Sequence, residues 1–414
     1  MERRRRPVAA VALLILLAAA AAFLIWRMQR APAPATASGT LTPVHFADLP
    51  GWTASDPRAA LSAFARSCKV LAAKPAQASL GGTGYAGTAG DWQGVCAAIP
   101  SSAASAASAR TFFESRFTPV EVRNADKSDA LFTGYYEPEL FASRKPDSRY
   151  RVPIYGVPSD LVSVDLGLFR DDLKGEHLEG CLSGRRLQLC PSRAEIDANG
   201  LAQAPILFYA DDPVSVFFLH IQGSGRVRLD DGSTVRVAYA GQNGRPYKAV
   251  GRTLIEEGLL DRAGMSMQAI RAWMQTHTAD ARRVMETDQS YVFFQEEALG
   301  DPSIGSPGSE GVPLTPGASL AVDLKLHAQG APFYVAATRP DTRSAKPDRT
   351  FDQLLIAQDT GGAIRGPARG DVFWGFGNDA EAIAGRMKSS GRMFVLLPKA
   401  VAARLGPHAE LRAP

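Results

Sequence analysis

The sequence predicts a β-rich α+β protein, with barrels favoured over a parallel doubly wound sheet. Three observations carry this. From Leu131 onward the apolar runs are short and β-prone, turn-forming Gly, Pro and Asp separate them, and few stretches show helical spacing. At 414 residues the chain is too long for one ordinary core, which implies two domains on a scale of roughly 150 residues each. In chain order, Asp56–Leu71 sets Leu61, Phe64, Ala65, Cys68 and Leu71 at helical spacing, and Ser101–Phe117 gives a second helix. Strands follow at Leu131–Tyr136, Tyr150–Tyr155, Ala204–Phe208 and Val214–Ile221. Val227–Leu229 and Thr234–Tyr239 bracket Asp230-Asp231-Gly232, a hairpin signal because Asp-Gly accommodates the positive-φ turn. Tyr247–Glu257 and Ser266–His277 read as a helical hairpin broken at Gly258. After a strand at Tyr291–Gln295 comes a Gly/Pro/Ser-rich loop, Gly300–Gly317; strands return at Ser319–Val322, Phe333–Ala336, Leu354–Ala357 and Met393–Leu397.

A composition of 45% hydrophobic and 21% charged residues is that of a globular protein. The net charge of +4 comes from 46 Lys+Arg and 42 Asp+Glu. Arg3, Arg4, Arg5, Arg6, Arg27 and Arg30 against Glu2 put +5 on the first thirty residues, so the rest carries 4 − 5 = −1. With a near-neutral body, nucleic acid binding loses most of its electrostatic support. Behind the basic cap Met1–Arg6, Val8–Trp26 is an uncharged apolar run of 19 residues. A bilayer core takes about 20 such residues and a secretory core about 7–15, so length favours a retained anchor with its arginines cytoplasmic. Ala35-Thr36-Ala37 before Ser38 leaves a cleaved signal open. Either way the body is exported; residues 1–30 are anchor or signal, and 31–44 a flexible Pro/Ala tether.

Export makes disulfides the natural reading of the four cysteines. Cys181 and Cys190 flank a Ser183-Gly184 turn as a cross-strand staple, leaving Cys68 to pair with Cys96. With no C-x-x-C and six scattered histidines, the pattern does not resemble a zinc site. There is no nucleophile elbow, zinc-protease helix or phosphate loop. Gly223-Ser224-Gly225 follows the expected strand at Phe217–Ile221, lacks a third glycine and precedes another strand, so it is no dinucleotide fingerprint. Neither metal nor other cofactor is expected.

Three stretches combine Gly with Tyr, Asn, Gln and Asp: Phe132–Pro138, then Ile221–Gly225 with Tyr239–Tyr247, and Gln358–Gly366 running on to Asp371–Gly375. Glycine admits a ligand close to the backbone, amides and hydroxyls bond sugar hydroxyls, and rings offer flat apolar faces. That mixture suits a carbohydrate groove, although turns between barrel strands would use the same residues. Cleaving a glycosidic bond needs a carboxylic acid to protonate the leaving oxygen. Asp359 and Asp371, bracketing a glycine-rich connection beside Phe373 and Trp374, could be brought close enough to keep one of them protonated.

The blocks FTGYYEP, QGSG to YAGQNGRPY, SMQAIRAWM, SYVFF, GVPLTPGASLAVD and QDTGGAIRGPARGDVFWGFG resemble, in order, those of the membrane-bound lytic murein transglycosylase A family, from about Trp52 to Pro398. The resemblance implies a double-psi β-barrel assembled from 45–137 and 297–405, with a smaller β-domain, 138–296, inserted and the glycan lying between them. It also implies cleavage, without water, of the β-1,4 bond between N-acetylmuramic acid and N-acetylglucosamine, closing a 1,6-anhydro ring. Asp323, Asp359 and Asp371 match the family's three aspartates: Asp371 the catalytic acid and then base, Asp359 its support, Asp323 structural. Thr133, Tyr135, Gln222, Gly223, Ser224 and Asn243 match blocks that line the glycan groove; Tyr247 and Trp374 are further candidates that could equally be core. The Asp359–Asp371 connection looks slightly longer than in some relatives, and the lipid-attachment cysteine of some members is absent. Two other readings remain at this stage. One is a hydrolase using Asp359 or Glu137 as base for water, and the other is a wall-binding protein without activity.

Overall fold

The computed structural model describes residues 38–412 except 101–104, 127, 174–175 and 344–345. The apolar run at 8–26 lies outside the described residues, and among those described no helix is long and apolar enough to cross a membrane. The chain first lays down β1 (Ser38–Pro43), β2 (Phe117–Asn124) and β3 (Ala130–Glu137). It then builds β4 (Glu139–Ser143), β5 (Val152–Tyr155), β6 (Leu161–Asp165), β7 (His177–Ser183), β8 (Arg186–Gln188) and β9 (Ile206–Ala210). β10 (Ser224–Leu229), β11 (Thr234–Gln242) and β12 (Val292–Glu297) complete that excursion. Last come β13 (Ser319–Ala321), β14 (Pro332–Arg339), β15 (Arg349–Asp359), β16 (Arg369–Phe376), β17 (Lys388–Pro398) and β18 (Ala409–Arg412).

These strands form a sheet ordered β14-β15-β13-β16-β3-β17-β2-β1-β18, in which β14 also pairs with β17. The second pairing closes β14, β15, β13, β16, β3 and β17 into a six-stranded barrel, the double-psi architecture. Closure removes the open edges that a flat sheet would expose. Met393–Pro398 of β17 is buried at every position because that strand pairs on both sides and is covered on both faces. β4, β5 and β9–β12 form a separate sheet ordered β12-β11-β10-β4-β9-β5, and β6-β7-β8 a third. The chain therefore leaves the barrel after Glu137 and rejoins it at Ser319.

Two expectations need correcting. Ser38–Pro43 is not tether: it forms β1, paired with β2 and β18, because Leu41 alternates inward and is wholly buried. Val214–Ile221 is not a strand but the core of a helix, Pro213–Gln222. Asp212 caps it by accepting from the Val214 and Ser215 amides at 3.0 and 3.1 Å, Pro213 starts it, and Gly223 stops it at φ 79°. Val216 and Leu219 enter the core of the β4–β12 sheet, whereas Val214, Phe217 and Phe218 enter a helical core with Leu254 and Met274. Burial on both sides erases the one-faced periodicity that marks a helix in sequence. The Gly223-Ser224-Gly225 segment thus follows a helix and leads into β10.

Cys68 pairs with Cys96 and Cys181 with Cys190, at Cα separations of 5.3 and 4.9 Å. The first ties helix Arg58–Ala73 to helix Ala89–Ala97, whose Thr88/Asp91 capping box lies at the end of the glycine-rich stretch. Beside it Phe64, Trp92, Phe113 and Phe117 pack ring against ring. Replacing both Cys68 and Cys96 by Ser is expected to cost about 3 kcal/mol through the freed loop of the unfolded chain. Urea melts of the variant and the oxidised parent measure it, and reducing the parent should move its curve toward the variant's.

Candidate active site

Strand register brings the two aspartates together. β13 is a short central strand with β15 on one side and β16 on the other, and its Ala321 pairs with both Asp359 and Asp371. The two residues are therefore separated by two inter-strand steps, roughly 10 Å between Cα atoms. β3 runs parallel to β16 on the far side, setting Thr133 opposite Asp371 and Tyr135 opposite Phe373. Residues 133 and 135 share one face of β3, so both side chains meet the pair.

Both carboxyls are pushed above the usual aspartate range, chiefly by burial. For Asp371, Asp359 adds to the rise, while Arg369 and the Thr133 hydroxyl oppose it. Their hydrogen bonding differs. Asp359 Oδ2 accepts from the Tyr135 hydroxyl at 2.7 Å and Oδ1 from the Ser309 amide at 3.0 Å, so both oxygens face donors. Tyr135 packs its ring on Phe373, 5.2 Å between centroids, and burial with the nearby Asp359 charge holds its hydroxyl protonated. Asp371 Oδ1 accepts from Thr133 Oγ1 at 2.5 Å, and Oδ2 has no hydrogen-bond partner among the described residues. Both oxygens of Asp359 are thus engaged by donors, whereas Asp371 has one engaged oxygen and one without a partner among the described residues.

The remaining candidates separate. Asp323 is buried and accepts from the Gly366 amide at 2.9 Å and the Lys325 amide at 3.2 Å, pinning the connection between the two aspartates. Tyr247 lies over Gly362 in that connection; burial first, then the Asp288 and Asp371 charges, push its hydroxyl up to about 12. Gln222 accepts from the Tyr136 amide at 3.0 Å and so ties a helix end to β3. Gly223 is the left-handed helix stop beside open space, and Ser224 is buried in β10 opposite Ala238.

Asn243 is a correction. It is wholly buried, gives both amide hydrogens to the Pro191 and Gln289 carbonyls at 2.9 and 2.8 Å, and accepts from the Tyr291 and Arg245 amides at 2.9 and 3.3 Å. Its carboxamide has no capacity left for a sugar. Trp374 stands on the β16 face opposite Asp371, packed on Phe351 with Arg339 over its ring, so it does not join Phe373 in shielding the aspartates. Gly134 makes room for it: a Cβ there would fall 2.6 Å from the indole. Gly134→Ala is expected to cost about 1–3 kcal/mol by overpacking, read as a lower unfolding midpoint.

Residues 131–295 match the MltA specific insert domain and 318–397 the 3D domain. The membrane-bound lytic murein transglycosylase A of Escherichia coli K12 is 32% identical over 279 residues, 67% of this chain and 68% of that protein. The chain belongs to the membrane-bound lytic murein transglycosylase A family. A crystal structure of the membrane-bound lytic murein transglycosylase from Agrobacterium tumefaciens superimposes with a TM-score of 0.76 at 33% identity, covering 88% of this chain and 99% of that one. That of E. coli MltA with bound chitohexaose gives 0.60 at 27% identity, covering 82% and 90%. In family terms, all three aspartates fall in the 3D domain, while the insert match begins within β3 and so includes Thr133 and Tyr135.

Two residues of the site carried no expectation from the sequence. Ser309 supplies an amide to Asp359 from the Gly/Pro/Ser-rich loop. Arg369 donates to Thr133 Oγ1 at 2.7 Å, and its position two residues before Asp371 on a strand was the available signal. Glu137, considered as a base for water, is instead buried between Arg226 at 3.1 Å and Arg236 at 3.2 Å, with the Ser306 amide at 2.7 Å. A carboxylate so enclosed cannot reach a substrate.

Proposed function

We propose that this protein cleaves the β-1,4 bond between N-acetylmuramic acid and N-acetylglucosamine in peptidoglycan by internal transglycosylation. Protonated Asp371 gives its proton to the glycosidic oxygen as that bond breaks. The carboxylate left behind takes the proton of the muramic C6 hydroxyl as its oxygen bonds to C1, closing the 1,6-anhydro ring and restoring the acid. One carboxyl therefore serves both transfers, and water is not consumed. Asp359 acts as a fixed charge that keeps Asp371 protonated in the resting site and favours the positive character developing on the sugar ring. Thr133, Tyr135 and Tyr247 would contact the glycan, and 138–296 would form the second wall of its groove.

The observation that carries this reading is the contrast between the two carboxyls: only Asp371 pairs a raised proton affinity with a free oxygen. The relatives named as lytic murein transglycosylases and the relative holding chitohexaose support the substrate class. A hydrolytic alternative needs a second carboxylate free to activate water, and neither Asp359 nor Glu137 has that freedom. We place the enzyme in the cell envelope, its body on the periplasmic side, held by the apolar run at 8–26 or released after its cleavage.

Mass spectrometry of products from purified murein tests the chemistry. Muramic ends lighter by one water are expected; reducing ends alone would overturn it. The intact mass of the exported protein decides between anchor and signal.

A further inference from the structure

We propose that Arg369 is a positioning residue which, through Thr133, fixes one oxygen of Asp371 and assigns the exchangeable proton to the other. The inference rests on the acid–base role of Asp371 given above. Arg369 and Asp371 are two apart on β16 and share a face, and the parallel ladder sets Leu131 beside the first and Thr133 beside the second. The guanidinium is anchored before it touches the site: Nη1 donates to the carbonyls of Leu131, at 3.4 Å, and of Gly370. Nη2 then donates to Thr133 Oγ1 at 2.7 Å, and Thr133 Oγ1 donates to Asp371 Oδ1 at 2.5 Å.

The direction of this chain follows from the donor inventory. Arginine has no acceptor and stays charged, so the threonine oxygen must accept from it. A hydroxyl that accepts from a cation becomes a stronger donor, and its one proton points along the remaining short contact, at Oδ1. Oδ1 is thereby committed as an acceptor, leaving Oδ2 to hold the proton that the glycosidic oxygen receives. Lysine could not copy this, since a single ammonium cannot bridge two backbone carbonyls and a side-chain hydroxyl in one plane.

The charged and titratable groups facing Asp371 are Arg369 on its own strand, Asp359 beyond β13, Tyr135 on β3 and Tyr247 over the connecting turn. Of these only Arg369 is cationic, and it favours the Asp371 carboxylate. Without it the carboxyl holds its proton to higher pH, so the alkaline limb of the activity profile should move upward.

The test compares Arg369→Met, Arg369→Lys, Thr133→Val, Thr133→Ser and the Arg369→Met/Thr133→Val pair. Lysis is followed against pH, and the Asp371 carboxyl is titrated by carbon NMR in the full chain. Arg369→Met is expected to lower kcat roughly 10–100-fold with KM little changed, as for loss of one charge-assisted hydrogen bond. Arg369→Lys should recover only part of the loss, and Thr133→Ser most of the activity that Thr133→Val removes. The double variant should lose much less than the two single losses combined, because the hydrogen-bond part of the Arg369 effect runs through that hydroxyl and only its direct charge effect remains. Additive losses, or an Asp371 titration unmoved by Arg369→Met, would overturn the proposal. The titration does not depend on turnover, so products with reducing ends only would defeat the transglycosylase reading while leaving this coupling separately measurable.

Discussion

Asp371→Asn is expected to lower lytic activity on the order of 10³-fold or more and, at the same time, to raise thermal stability at neutral pH. The amide keeps the shape of the carboxyl and can still accept from Thr133, but it has no proton to give to the leaving oxygen and cannot become the base for the C6 hydroxyl. The gain in stability follows from linkage. The folded protein holds the Asp371 proton above the usual aspartate range, whereas the unfolded chain releases it near about 3.9. Folding with a neutral side chain is favoured, so as pH rises from the unfolded value through the folded one the wild type loses stability, and above that window the penalty is fully present. Asn escapes it. Melting curves should show the variant ahead at pH 7 and level with the wild type below pH about 3.9. Lysis at the wild-type rate would remove Asp371 from the mechanism; a variant less stable at pH 7 would contradict the cost assigned to its burial.

What the sequence could disclose depended on how local each signal was. β10 and β11 were legible because the Asp-Gly turn and alternating side chains lie within a few residues of one another. The helix Pro213–Gln222 was hidden because its apolar residues serve two cores, although Asp212-Pro213 at its start and Gly223 at its end were informative. β1 looked like linker because one buried leucine in six residues carries little pattern. In the site, the aspartates stood out by their motif, but their partners are set by strand register. No spacing rule connects Thr133 with Asp371 across 238 positions or Tyr135 with Asp359 across 224. Asn243 misled for the converse reason, since a carboxamide that satisfies a buried loop and one that binds a sugar are the same residue in sequence.

Glu137→Ala is expected to be the most destabilising single change outside the aromatic core, by about 3–5 kcal/mol. Glu137 ends β3 where the chain leaves the barrel, and its carboxylate is the buried counter-charge for Arg226 and Arg236, both in the β4–β12 sheet. Removing it leaves two guanidinium groups enclosed without an anion. The same carboxylate holds the Ser306 amide and hydroxyl at 2.7 and 3.0 Å, while the arginines bond the carbonyls of Pro302, Leu299 and Ile304. Ser306 opens a narrow hairpin in which Gly305 and Leu314 bond across its base and Ser309 at its far end donates to Asp359. The cluster thus connects the junction between the two sheets to the Asp359 carboxylate. Urea unfolding should show the loss, and lytic activity under folding conditions should fall as well, because a loosened hairpin withdraws the Ser309 amide. Glu137→Gln, which keeps an acceptor for Ser306 but not the charge, should retain more activity than Glu137→Ala while still losing stability. Equal activity in both variants would separate the charge cluster from the hairpin and refute that connection.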